Sequence, residues 1–292
     1  MTTSASRTAG YVAFYRALET VERRRPRLFA DPFATRFLSR PLKLFVAAAR
    51  VSAAHGWIAR YADHRAPGAR ASAIARTRFI DDVLRARVAD GVRQLVVLGA
   101  GFDCRAHRIP ELRTVSVRVF EVDRPETQAK KRACLAQAAA TRDDVAYVPV
   151  DFLRDDVAAR LASAGWDPLR PSLFIWEGVT NYLDKDAVEK VLSWIGRAAP
   201  GSTAVFTYIH AGVLDGSVHF EGGAQMQANV RRLGEPWTFG LRPDEVAAFI
   251  ARLGLVLREN LGSDEYRARL LPAEHAGGYA FYRIAVADVG ER

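Results

Sequence analysis

Two cysteines, Cys104 and Cys134, are all that the 292 residues contain. They are too few for a disulfide framework and lack the paired spacing of a zinc site, so both are expected as free thiols. Cys104 opens a predicted helix, where a thiol can become reactive, but His107 on the next turn is its one nearby partner, which is thin support for a nucleophile. Histidine is scarce as well, with six in the chain. His55 and His64 lack the three- or four-residue spacing of two ligands on one helix face, so they read as surface residues and no metal is expected. Long apolar runs are also missing. The most apolar N-terminal stretch, KLFVAAARVSAAHGWIARY, is broken by Arg50 and Arg60, which argues against a membrane-spanning helix. The opening MTTSASRTAGYVAFYRALE has no basic start followed by a continuous apolar segment, so no secretory signal is read there and a cytoplasmic protein is expected.

What is present is a globular composition, 49% hydrophobic and 26% charged, enough to bury a sizeable core. The net charge of +9 is uneven: residues 1–90 carry +10 and the rest −1. Such a basic segment can attract an anionic small molecule, nucleic acid or a membrane surface. Here 37 of the 42 basic residues are arginines scattered among helical patterns, so the charge is weak evidence for nucleic acid.

The pattern changes near residue 92. Before it, VAFYRALETVERR, DPFATRFLSR, PLKLFVAAARVSAAHGWIARYADHR and ASAIARTRFIDDVLRARVAD carry apolar residues at helical spacing. After it, RQLVVLG, VSVRVFEVD, DVAYVPVD, PSLFIWEG and STAVFTYIH alternate with segments suited to crossover helices. That alternation predicts an α/β fold with an open, mostly parallel sheet covered on both faces. Pro125 suits a first helical turn, and Asp184 suits a cap. Residues 211–240 hold six glycines and no clear period, suggesting a lid or a substrate-side insertion. LVLREN and YAFYRIAVADV then read as an antiparallel pair at a sheet edge. The expected division is a helical cap over 1–90 and a Rossmann-like domain over 91–292.

The first strand runs into GAGFDC, which begins like the dinucleotide fingerprint but has Cys104 at the third glycine position and Asp103 before it. An ionised Asp103 would repel a pyrophosphate at this helix start, whereas S-adenosylmethionine carries a cationic sulfonium and ammonium and no phosphate. Asp123, ending the second strand about 20 residues beyond the loop, is placed to grip ribose hydroxyls, with Glu121 as alternate. Asp151 and Phe152 end the third strand, where they could bond and pack against adenine, though Asp151 also suits a helix cap. Glu177 ends the fourth strand, as a site residue or a cap.

Taken in order, DPFA, RTRFIDD, VVLGAGFDCR, FEVDRP, VPVDF, WEGVTNYL and GLRPDEVAAFIARLG resemble the leucine carboxyl methyltransferase family, including its bacterial small-molecule O-methyltransferase branch. The resemblance implies a class I S-adenosylmethionine-dependent fold with S-adenosyl-L-methionine as cofactor. It places Arg76 on the donor's carboxylate, with Arg78 as the neighbouring candidate. It puts Gly99 and Gly101 along the donor's amino-acid end, Asp123 on the ribose, Asp151 and Phe152 on the adenine, and Glu177 near the amino group. The acceptor it implies is a small molecule with a carboxylate or hydroxyl.

Methyl transfer from a sulfonium is an in-line displacement, so positioning dominates. An ionised carboxylate acceptor needs only orientation, which an arginine of the basic N-terminal helices could give. A phenol or alcohol needs a base, for which His210 is the sequence candidate and Tyr208, on the same strand, the alternate. Two other classes stay open at this level: an NAD-dependent oxidoreductase on a similar sheet, and a non-catalytic nucleic-acid or regulatory binder using the basic first 90 residues.

Overall fold

The computed structural model of the chain describes residues 5–136, 138, 141–271 and 279–290. The N-terminal region is helical: α1 (Ala5–Thr20), a 3-10 turn at Ala34–Phe37, α2 (Arg40–Ala48), α3 (Ser52–Arg65) and α4 (Ala69–Ala89). Strands β1 (Gln94–Leu98), β2 (Arg118–Asp123), β3 (Ala146–Pro149), β4 (Ser172–Trp176) and β5 (Thr203–Ile209) follow at the predicted runs. Between them lie α5 (Arg105–Arg108), α6 (Glu111–Thr114), α7 (Pro125–Leu135), α8 (Val157–Ser163) and α9 (Lys185–Ile195). Segment 211–240 holds α10 (Ala211–Asp215) and α11 (Gly223–Arg232). The chain ends through α12 (Val246–Ala251), β6 (Leu255–Gly262), α13 (Ser263–Leu270) and β7 (Tyr282–Val289).

The seven strands form one sheet in the order β3-β2-β1-β4-β5-β7-β6. The five strands β1 to β5 pair in parallel, while β7 runs antiparallel to both β5 and β6. Central strands β1, β4 and β5 are buried along their whole length, as parallel strands covered on both faces must be. One face packs on α8, α9 and α12 through Leu161, Val188, Leu192 and Ile250. The other packs on α4 and α13: Ile74, Ile80, Leu84 and Val88 share a cluster with Leu95, Val97, Leu173 and Ile175. Each such fully buried side chain contributes about 1.5–3 kcal/mol. Thus α4, read from sequence as part of a cap, is one of the sheet's own covering helices. The preceding helices instead press on the loop after β1, where Phe37 stacks on Phe102 at 4.6 Å.

Local chemistry sets several boundaries. Pro125 starts α7, and Asp184 accepts the Ala187 N–H at 2.8 Å to cap α9. The cap of α8 is Asp156, which accepts the Ala159 N–H at 3.1 Å. His55, read as a surface residue, is 2% exposed because α3 lies on α1, with Nε2 3.2 Å from the Leu18 carbonyl. No helix of the described residues is long and apolar enough to cross a membrane.

Candidate active site

Strand order reverses between β1 and β4, the place where an open α/β sheet has its ligand crevice, and the loops after β1, β2 and β4 meet there. In the loop after β1, Gly99 and Gly101 hold φ angles of +63° and +46°, left-handed values that favour glycine. A Cβ at Gly99 would also collide with Cγ2 of Val179. Gly101 donates its N–H to Oδ2 of Asp123 at 2.5 Å, and Arg124 donates its N–H to Oδ1 at 2.7 Å. The carboxylate ending β2 is therefore fixed against the glycine loop. Burial raises its pKa, while the N–H donors of Gly101 and Arg124 oppose that rise.

Beyond β4, Glu177 accepts from Arg76 Nε at 2.7 Å and from Arg105 Nη1 at 2.9 Å. Burial pushes this carboxyl up, but Arg105 and Arg76 outweigh it and hold it at about 2. Arg105 also bonds Asp81 through Nε at 2.8 Å and forms a close pair with Asp103, which accepts the Arg105 backbone N–H at 2.6 Å. Asp81 continues to Arg108 at 2.6 Å. Asp31 lies 3.9 Å from Arg108 and 3.0 Å from Arg16, whose Nη2 donates to the Phe102 carbonyl at 2.6 Å. Arginines 76, 105, 108 and 16 thus alternate with Glu177, Asp103, Asp81 and Asp31 in a buried ion-pair network. Ions taken out of water persist only when paired in this way. Asp103 is held well below the usual carboxylate range by Arg105, against burial, so its charge is already matched. At this helix start Asp103 therefore stands as one half of an ion pair with Arg105, not as a free charge.

At the end of β3, Asp151 accepts the Leu153 N–H at 3.1 Å, and the half-buried Phe152 ring lies 6.1 Å from Trp176. Asp151 is not the cap of α8. Glu121, the alternate for the ribose, turns into the interior, where Lys131 Nζ sits 2.6 Å from its carboxylate with both side chains 1% exposed. It is removed from the crevice. Beyond β5 the character changes to aromatic: Ile209, Val213, Val230, Trp237, Phe281 and Tyr282 form a buried cluster. Tyr282 links the two regions, its ring lying 4.5 Å from the Arg76 guanidinium carbon.

The sequence pattern of the family described as leucine carboxyl methyltransferase matches residues 9–196. The chain belongs to the leucine carboxyl methyltransferase family. A relative from Frankia alni, provisionally named an S-adenosyl-L-methionine-dependent methyltransferase, is 39% identical over 223 residues, covering 74% of this chain and 72% of its own. One of the same description from Streptomyces coelicolor is 38% identical over 228 residues, with the same coverage, 74% and 72%. Among solved structures, a DUF574 family protein from Streptomyces avermitilis matches with a TM-score of 0.59 at 18% identity, over 81% of this chain and 91% of that one. A protein from Thermobifida fusca, provisionally named a methyltransferase, matches at 0.56 and 22%, over 82% and 89%. These two likenesses speak for the fold alone. The chain is an S-adenosylmethionine-dependent methyltransferase, in keeping with its family.

In this methyltransferase Arg76 and Arg78 part company. Arg76 meets Glu177, whereas Arg78, two residues on along the helix, points to Asp82 at 2.8 Å and to the Leu28 carbonyl at 2.9 Å. Tyr208 is 0% exposed, its hydroxyl donating to Asn260 at 2.7 Å and accepting from Arg283 at 3.1 Å, so that group holds the sheet edge together. Cys104 is buried, and burial pushes its thiol well up, opposite to what a nucleophile needs. His210 caps α10: its Nδ1 accepts the Gly212 N–H at 2.9 Å. In that tautomer the ring proton is on Nε2, leaving neither nitrogen ready to take another proton unless the cap opens. Burial and the nearby Arg283 lower its pKa, so it is neutral near pH 7.

Asp31, Asp81, Arg105 and Arg108 were not singled out by sequence reasoning. Two signals bear on them. Asp31 opens DPFA and accepts the N–H groups of Phe33 and Ala34, each at 3.1 Å, which starts the 3-10 turn. Arg105 and Arg108 stand three apart, the spacing of one helix face. Among the described residues no group of three or more His, Cys, Asp or Glu is arranged to hold a metal.

Proposed function

We propose that this methyltransferase transfers the methyl group of S-adenosylmethionine to a carboxylate or hydroxyl oxygen of a small-molecule acceptor. The observation that carries the donor site is the meeting of Gly99, Gly101, Asp123 and the Arg76–Glu177 pair at the reversal of strand order. The side-chain-free face of Gly101 admits the amino-acid end of the donor, while that of Gly99 lets Val179 close on the loop, with Arg76 toward the donor's carboxylate and Glu177 toward its ammonium. Asp103 keeps Arg105 in place beneath them. Asp123, anchored by two backbone N–H groups, presents its remaining lone pairs to the ribose hydroxyls. Asp151 and Phe152 would hold the adenine. The bound donor supplies a methyl group already activated by a sulfonium; the chain's part is to align an acceptor oxygen with it. Residues 5–65 cover the glycine loop, and segment 211–240 supplies the acceptor side as a lid.

A calorimetric titration with S-adenosylhomocysteine, with NAD in parallel and repeated on Asp123→Ala, tests the reading. Saturable binding of S-adenosylhomocysteine alone is expected, weakened about 100-fold in the variant, as loss of two hydrogen bonds to a charged group implies. Binding of NAD instead, or no binding of S-adenosylhomocysteine by folded protein, would overturn it.

A further inference from the structure

The aromatic cluster beyond β5 carries one feature that packing does not explain. Glu235 is 9% exposed and sits between α11 and Trp237. Its Oε2 accepts the Thr8 hydroxyl at 2.6 Å, but its buried Oε1 has no hydrogen-bond partner. Among the described residues no cation pairs with it. This contrasts with the buried carboxylates of the donor end, Glu177, Asp103, Asp81 and Asp31, each of which meets an arginine. A buried carboxylate oxygen left without a donor is costly, and a ligand hydroxyl would relieve it.

The surroundings suggest what carries that hydroxyl. Phe281 is the hub of a set of rings, with Tyr279 at 4.7 Å, Trp237 at 5.6 Å and Phe220 at 6.0 Å, while Tyr279 stacks on Tyr282 at 5.7 Å. Tyr182, Phe220, Met226 and Tyr279 are only partly buried where they pack against this cluster. Tyr182 belongs to the segment that also carries Glu177, five residues earlier. Burial, then Tyr282 and Glu235, push the Tyr182 phenol up to about 12, so it stays a neutral hydroxyl. Tyr282 joins the cluster to the donor end: its ring lies over Arg76, and its hydroxyl is 3.2 Å from Thr207, which accepts the Gly178 N–H at 2.8 Å.

We propose that Glu235 selects the acceptor, accepting the hydrogen bond of a hydroxyl on a planar aromatic ring that packs among Tyr182, Trp237, Tyr279 and Phe281. This rests on the methyltransferase reading above and decides between its two oxygen classes. A carboxylate acceptor would bring a second negative charge to an unpaired one in a dry site, whereas a phenol brings the missing donor. Flat rings offer a flat acceptor offset-stacked and edge-to-face contacts.

The test is a calorimetric titration at neutral pH of the full chain with 2-naphthol and with 2-naphthoate, with and without saturating S-adenosylhomocysteine. The expected result is saturable binding of 2-naphthol and at least about tenfold weaker binding of 2-naphthoate, the factor that about 1.4 kcal/mol of discrimination gives. Glu235→Gln should lose that preference while its S-adenosylhomocysteine affinity stays within about twofold of wild type, which also reports an intact fold. Glu235→Asp, keeping the carboxylate, should retain the preference. Equal or tighter binding of 2-naphthoate, an unchanged ratio in Glu235→Gln, or no binding of 2-naphthol would overturn the inference. Absence of S-adenosylhomocysteine binding would instead sink the methyltransferase reading, while the ligand preference is read from the titrations without it.

Discussion

The two ends of the crevice are built on opposite principles. At the proposed donor end, beyond β1, β2 and β4, the buried charges are each matched: Arg76, Arg105 and Arg108 against Glu177, Asp103 and Asp81. At the proposed acceptor end, beyond β5 and along segment 211–240, the cluster is ring and alkyl, with Glu235 as its one unmatched carboxylate among the residues discussed. The family match, residues 9–196, holds the residues of the first region and, of the second, Tyr182 but not Glu235, Trp237, Tyr279 or Phe281. The donor is a fixed, charged molecule and requires a fixed, charged frame. In the proposed arrangement the acceptor end is left to shape and a single polar contact, which local changes can retune without disturbing the frame.

The strongest way to break this contrast is to remove the central cation of the donor end. Arg105→Met leaves Asp81, Asp103 and Glu177 short of a partner in a site where Arg105 is 2% exposed, so we expect a loss of about 3–5 kcal/mol in urea denaturation. A loss below about 1 kcal/mol would mean that the network is not cooperative. Acid should act on the same end. Glu177 falls from an ordinary value of 4.5 to about 2, so its pairing contributes stability that is fully present above pH 4.5 and lost as pH falls through about 2. Stability measured against pH should therefore drop across that window, and less steeply in Glu177→Gln; parallel profiles would show that the pair is not the cause.

Smaller effects should mark the acceptor end. Phe220→Leu removes a half-buried ring from the aromatic set, so 2-naphthol affinity should fall about 3- to 10-fold, as loss of an aromatic pair implies, with S-adenosylhomocysteine affinity unchanged. Equal weakening of both ligands would join the two regions that the contrast separates. The gentlest probe is limited proteolysis of segment 211–240 with and without S-adenosylhomocysteine. A lid that closes over the donor should be cut several-fold more slowly when the donor site is filled; unchanged cleavage would leave this segment a static wall.

Much of this was legible from local pattern. The apolar runs at 94–98, 172–176 and 203–209 read as strands because complete burial keeps them mostly apolar, and β2 and β3 were legible as shorter apolar runs in the same alternation with helical segments. The glycines at 99 and 101 and the carboxylate at 123 were each legible from the motif and the strand end, while the hydrogen bond from Gly101 N–H to Asp123 came with the fold. The assignment of His210 as base failed on a contact two residues away, the Gly212 N–H that ties its Nδ1. Tyr208 failed because the hydroxyl meets Asn260, 52 positions on, across the sheet edge. His55 was misplaced because its helix gives no sign of which face α1 will cover.

The sequence by itself determined the order of strands and crossover helices, the glycine loop, the acidic residue beyond it and, through ordered motifs, the methyl donor, since each depends on neighbours a few bonds or one repeat apart. Only the tertiary structure decided which arginine serves Glu177, how Asp103 is neutralised and that Glu235 is left unmatched. Arg76 and Glu177 are 101 positions apart, and Thr8 and Glu235 are 227 apart. The energy of a charge depends on what lies within a few ångströms of it and on how much water is excluded, and the folded chain alone fixes both.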